Sequence, residues 1–195
     1  PQKLVQGLWA GMKAMQENDG SKTNEDAFWQ AFTGLAGERA LDYRSDFDAF
    51  YRNEFAAAKK ATVCHPMAAR CVHLLREKGY RVALATNPLF PQEATWARIE
   101  WAGLSPSDFA LVTTYENSRH CKPNPDYYRE ILGKLGLNAR ECLMVGNDVN
   151  EDMIAQTLGI QVFLLTDCLI NKGNRDISQY PYGSFPELMD YIRGL

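Results

Sequence analysis

Few features of this sequence point to special chemistry by composition. Its five cysteines, Cys64, Cys71, Cys121, Cys142 and Cys168, form an odd set with no C-x-x-C pair. His65, His73 and His120 are scattered among them without zinc-ligand spacing, so reduced thiols in a cytoplasmic protein are expected. No apolar run approaches the ~20 residues needed to span a bilayer. No signal-peptide pattern stands at the start, which is Pro1 rather than Met. Lys and Arg number 21 against 24 Asp and Glu, with no basic stripe. Neither nucleic acid nor a membrane is therefore expected as a partner. Internal repeats and low-complexity tracts are absent as well.

What is present is the balance of a globular chain. The 195 residues are 46% apolar and 23% charged, enough for a sizeable core. Two regions differ in character, with the change near residue 61. In residues 1–61 every apolar pattern has helical spacing: Leu4, Leu8, Trp9, Met12 and Met15; then Ala27, Phe28, Ala31, Phe32 and Leu35; then Phe47, Phe50, Tyr51 and Phe55. These read as three helices packed through their aromatic residues. Core packing is the expected role of Trp9, Met12, Phe28, Phe32 and Phe50.

Residues 62–195 alternate helix and strand. Pro66 opens a helix that Gly79 stops, and strands are expected at Val82–Thr86, Leu111–Thr114, Cys142–Val145 and Ile160–Leu165. Helices start at Pro91 and at Asn124-Pro125, and another follows Asp152. The final one opens on the capping box Ser184-Phe-Pro-Glu187. Strands separated by helices imply a parallel sheet covered on both faces, a Rossmann-like α/β core beside a small helical domain. In such sheets chemistry sits beyond the carboxyl ends of the strands.

Three strand ends carry suitable groups. Thr86-Asn87-Pro88 offers a hydroxyl and an amide, or simply a turn held open by proline. Lys122-Pro123 puts a cation ahead of a helix N-terminus, where the dipole favours anions. Such a lysine is either solvated or answers an anion in the cleft. Gly146-Asn-Asp148…Asp152 places two carboxylates after a buried strand. They can share a hard cation such as Mg²⁺, which takes one or two carboxylates plus phosphate and water. The alternative is a turn at Asp148 and a helix-start carboxylate at Asp152.

In this order the three sites resemble motifs II, III and IV of the haloacid dehalogenase-like hydrolase superfamily. The resemblance covers residues 62–195, and the helical region resembles the cap domain of many members. It implies that Thr86 hydrogen-bonds the transferring phosphoryl group with help from Asn87. Lys122 would neutralise charge between that group and the nucleophile, and Asp148 and Asp152 would hold Mg²⁺. The reaction implied is Mg²⁺-dependent hydrolysis of a small phosphorylated metabolite through an aspartyl-phosphate. Motif I, an apolar strand running into Asp-x-Asp-Gly-Thr, has no counterpart. Asp46-Phe-Asp48 is followed by Ala49-Phe50 and sits in a helical pattern. The nucleophile is accordingly expected upstream of this chain, and the core is expected to lack its N-terminal strand, leaving a gap in the sheet or a segment filling it. A non-catalytic binding module of the same fold and a 2-haloacid dehalogenase are the alternatives.

Overall fold

The computed structural model describes residues 2–195, which divide into two compact units. One holds the residues through Cys64 together with Ala83–Cys121; the other holds His65–Val82 and Lys122–Leu195.

The first unit contains α1 (Gln2–Gln16), α2 (Asn24–Ala36), α3 (Arg44–Arg52), the helix Gln92–Trp101, and the pair β1 (Ala83–Leu84) and β2 (Leu111–Val112). Through residue 61 the described residues are helical or irregular, as the spacing predicts. Thr23 caps α2 by accepting the Asp26 N–H at 3.1 Å, with Glu25 and Asp26 in the first turn, where the dipole favours acids.

The packing face of α1 is not the expected one. Gly7, Gly11 and Met15 are buried, whereas Leu4, Leu8 and Met12 are partly exposed and Trp9 is 66% exposed. The reason is steric. A Cβ on Gly7 or Gly11 would overlap the rings of Phe32 or Phe28, so the glycines let α1 approach α2 closely. Phe28, Trp29 and Phe32 then join Met15, Ala40, Tyr115 and Cys121 in one core cluster. Phe50 is also largely exposed. The third expected helix ends at Arg52 and continues as a 3-10 segment, Glu54–Ala61.

Residues 83–121 group in one compact unit with this helical region. Phe55 stacks on Trp101 with centroids 5.3 Å apart. Asn24, fully buried, accepts from Asn18 Nδ2 at 2.8 Å and donates to the Pro88 carbonyl at 3.2 Å. The Asn24 and Glu25 N–H groups donate to the carbonyls of Ser118 and Tyr115. These bonds tie the start of α2 to two loops far away in sequence.

The second unit contains α4 (Pro66–Glu77), α5 (Pro125–Leu135), β3 (Leu143–Gly146), β4 (Gln161–Leu165), β5 (Tyr182–Gly183) and α6 (Phe185–Gly194). Its sheet has the order β3-β4-β5, all parallel. Along β4, Phe163 packs with Cys71 of α4 and with Phe185, Leu188 and Ile192 of α6. Val162 and Leu164 alternate to the other face and are buried too, so β4 is apolar throughout. The expected capping box holds: the Ser184 N–H and hydroxyl both donate to Glu187, at 2.6 and 2.7 Å. Two expectations change. β5 was not foreseen, and Met153–Leu158 is 3-10 rather than α-helical.

The parallel ladders form two sheets, β1-β2 and β3-β4-β5. Among the described residues β1 pairs only with β2, and β3 only with β4, so each keeps one edge without a ladder partner. With parallel strands flanked by helices, the chain has the α/β, Rossmann-like class expected.

Candidate active site

The site forms where β3 ends. Gly146 closes the strand because a Cβ there would overlap the Asp152 carboxylate, which folds back beneath the turn. Asp152 Oδ2 accepts the backbone N–H groups of Asn147 and Asp148, each at 3.0 Å. Its Oδ1 accepts from Lys122 Nζ at 2.6 Å. Both partners are buried, with side-chain exposures of 6% for Lys122 and 7% for Asp152. The ammonium also lies 5.7 and 5.9 Å from the ring centroids of Tyr127 and Tyr128, within cation–π range.

Lys122 therefore does answer an anion, and that anion includes a carboxylate of the protein itself. The helix that follows is set by Asn124, whose side chain accepts the Asp126 N–H at 2.9 Å, with Pro125 at the first position. Tyr128 on that helix donates to the Glu151 carbonyl at 2.7 Å. Burial pushes the Tyr128 pKa far up, and the nearby Asp152 charge adds to it, so the phenol remains a donor.

Asp148 is arranged differently. Its Oδ1 accepts the N–H groups of Asn150 and Glu151 at 2.8 and 2.9 Å. Its Oδ2 has no hydrogen bond among the described residues. Asp148 lines a cavity of about 130 Å³ with Pro123, Glu151, Lys172 and Arg175. The loop carrying those two cations is fastened to the β3 turn: Asn147 Nδ2 donates to the Cys168 carbonyl at 2.6 Å, and the Ile170 N–H donates to the Asn147 carbonyl at 2.8 Å. Asn147, Lys172 and Arg175 were missed in the sequence. Asn147 stood inside the motif without a visible task, and nothing local marks a basic loop as facing Asp148.

These positions bear on Mg²⁺. A free carboxylate oxygen at Asp148 suits a hard cation that keeps several waters and takes phosphate oxygens. Asp152 fits less well as a direct ligand, because both its oxygens are engaged and one faces an ammonium. Among the described residues no cluster of three His, Cys, Asp or Glu is placed to hold a metal. The residues present therefore fit a cation bound by Asp148 with non-protein ligands.

The structure thus brings Lys122, Asp148 and Asp152 together in one unit. Thr86 and Asn87 belong to the other. There the Thr86 carbonyl accepts from Thr113 Oγ1 at 2.7 Å, and the Leu89 N–H donates to the Asn87 carbonyl at 2.9 Å, closing a tight turn. Asp46 is exposed in the first turn of α3, not at a strand end.

The fold is a parallel α/β core with a buried lysine–aspartate pair at a strand end. The haloacid dehalogenase-like hydrolase family model matches residues 8–156, and the chain belongs to that family. It is 28% identical over 102 residues to the glyceraldehyde 3-phosphate phosphatase of Methanothermobacter thermautotrophicus, a match covering 52% of this chain and 44% of that protein. It is 35% identical over 92 residues to the phosphoglycolate phosphatase of Aliivibrio fischeri, covering 47% of this chain and 39% of that protein. The matches thus span less than half of either relative. A HAD phosphatase of known structure from Thermococcus onnurineus superposes with a TM-score of 0.59 at 18% identity, covering 99% of this chain and 92% of that one. That likeness concerns the fold. No helix among the described residues is long and apolar enough to cross a membrane.

Proposed function

We propose that this chain carries the phosphoryl site of a cytoplasmic, Mg²⁺-dependent phosphatase acting on a small phosphorylated metabolite. The observation that carries the reading is the buried Lys122–Asp152 pair at the end of β3, beside an Asp148 carboxylate with one oxygen unengaged. Lys122 supplies fixed positive charge for a phosphoryl group, and Asp152 holds its ammonium in place. Phosphoryl transfer needs little more from the protein than such positioning and neutralisation. Asp148 would hold Mg²⁺, with Asp152 ordering the loop around it. When bound, the cation neutralises charge on the phosphoryl oxygens. Thr86 and Asn87 are the hydrogen-bonding groups for those oxygens, residues 1–61 are the helical cap domain, and the core is drawn from residues 62–195.

Asp46, exposed on a helix, is not assigned the role of attacking carboxylate. The phosphatase names of the relatives support a phosphate monoester as substrate. A panel of phosphorylated metabolites offered to the full-length protein, with and without chelator, tests the reading. Phosphate release that needs Mg²⁺ and falls at least ~100-fold in Lys122→Gln is expected. Release indifferent to both would refute it.

A further inference from the structure

The loop after β4 brings Lys172 and Arg175 to the cavity of Asp148, and neither cation has a task in the fold. Both are exposed, and neither side chain takes part in an ion pair or hydrogen bond among the described residues. Elsewhere in the same unit, Arg129, Lys134 and Arg193 each pair with an acid three or four residues away on their own helix.

The loop itself is fixed. The Val149 N–H donates to the Ile170 carbonyl at 3.0 Å and the Ile170 N–H to the Asn147 carbonyl at 2.8 Å, so Ile170 bridges in parallel to Asp148. Further along, the Asn171 side chain accepts the Arg175 N–H at 3.0 Å and donates to the Arg175 carbonyl at 2.9 Å. These bonds hold the backbone of the loop and leave the ammonium and the guanidinium for a ligand.

The cavity measures about 130 Å³, against the about 150 Å³ that takes a benzene ring, so a phosphate or carboxylate group fits. Its charged liners are Asp148, Glu151, Lys172 and Arg175, two of each sign. A cation on the open Asp148 oxygen leaves the lining net positive, and an anion then completes it. The reacting phosphoryl group already has Lys122, a buried ammonium held by Asp152. Lys172 and Arg175 are two cations more, and a guanidinium fork suits the paired oxygens of a phosphate or carboxylate. A monoester with a neutral organic part gives them no counterpart.

We infer that Lys172 and Arg175 form a subsite for a second anionic group of the substrate, a phosphate or carboxylate close to the phosphoryl group that is removed. The word substrate rests on the phosphatase reading, while the anion subsite does not. Compact bis-anionic phosphates would then be preferred to esters of neutral alcohols.

The test measures binding to the full-length protein by ³¹P linewidth, with Mg²⁺ in fixed excess so that chelation is common to every sample. Methylenediphosphonate stands for a diphosphate and 3-phosphonopropionate for a carboxylated monoester. Methylphosphonate, with a single anionic group, is the control. At least one bis-anion should bind roughly tenfold more tightly than methylphosphonate, about the worth of two exposed ionic contacts. Lys172→Gln/Arg175→Gln should abolish that advantage with an unchanged melt, because both side chains are exposed. Arg129→Gln/Arg193→Gln removes the same charge from the same unit outside the cavity, and should keep the advantage. Whichever bis-anion gains identifies the second group as phosphate or carboxylate. No advantage for either, an advantage that survives Lys172→Gln/Arg175→Gln, or one lost equally in Arg129→Gln/Arg193→Gln would overturn the inference. Because no turnover is measured, the subsite stands if the phosphatase reading fails. Conversely, Mg²⁺-dependent hydrolysis without any bis-anion advantage would sink the subsite alone.

Discussion

Replacing Asp152 by alanine should be among the most damaging single changes in the second compact unit. The substitution removes the partner of a buried ammonium, since Lys122 and Asp152 side chains are 6% and 7% exposed and 2.6 Å apart. Breaking a buried pair from one side typically costs ~3–5 kcal/mol, because the remaining charge is left unpaired. The same carboxylate accepts two backbone N–H groups at 3.0 Å. Leaving these unsatisfied adds to the loss, though not additively. Against the ~5–15 kcal/mol that holds a typical domain together, a loss of about 4 kcal/mol is severe. Asp152→Asn keeps an acceptor for the backbone and should lose less. Adding Lys122→Met to Asp152→Asn should recover part of the loss, since no charge then remains to be buried. Urea unfolding of the four proteins provides the measurement, read as a midpoint shift at constant slope. A loss below about 1 kcal/mol for Asp152→Ala would refute the bracket role assigned to this residue.

Three further outcomes follow from the packing. Gly11→Val should destabilise by ~1–3 kcal/mol in a thermal melt, because its Cβ would overlap the Phe28 ring; an unchanged melt would mean that α1 can slide. Asn24→Ala should cost ~1–3 kcal/mol and raise KM, since the Pro88 carbonyl after Thr86-Asn87 loses its donor; unchanged values of both would contradict the link. Glu187 has its pKa held below the ordinary 4.5 by the Ser184 hydroxyl and backbone N–H. A depressed carboxylate contributes stability above its unfolded pKa and loses it as pH falls through the folded one. Glu187→Gln should therefore differ most from the parent near neutrality and converge with it in acid, as melts across pH 2.5 to 7 would check.

Much of the second unit was legible because its signals are local. Asn124-Pro125 and Ser184…Glu187 declare helix starts through side chains that reach only a few residues. The apolar run of β4 declares a strand buried on both faces. The packing of α1 was not legible, because its buried face is built on Gly7 and Gly11. Apolar periodicity does not register a contact made by having no side chain. Grouping residues 83–121 with the helices depends on Asn24 and Phe55 meeting partners distant in sequence. At the candidate site the residue types were visible, but their division of labour was not. Spacing placed Asp148 and Asp152 together; only the turn geometry distinguishes an oxygen left open from two that are engaged.

The most direct measurement is phosphate release from 4-nitrophenyl phosphate by full-length protein, across a Mg²⁺ titration, for the parent and Asp148→Ala. The account predicts saturable Mg²⁺ dependence in the parent and a loss of at least ~100-fold in the variant, with the melt little changed. Among the described residues the Asp148 carboxylate accepts only the Asn150 and Glu151 N–H groups, so the fold should tolerate the change. Turnover that persists in Asp148→Ala, or that ignores Mg²⁺ in the parent, would contradict it.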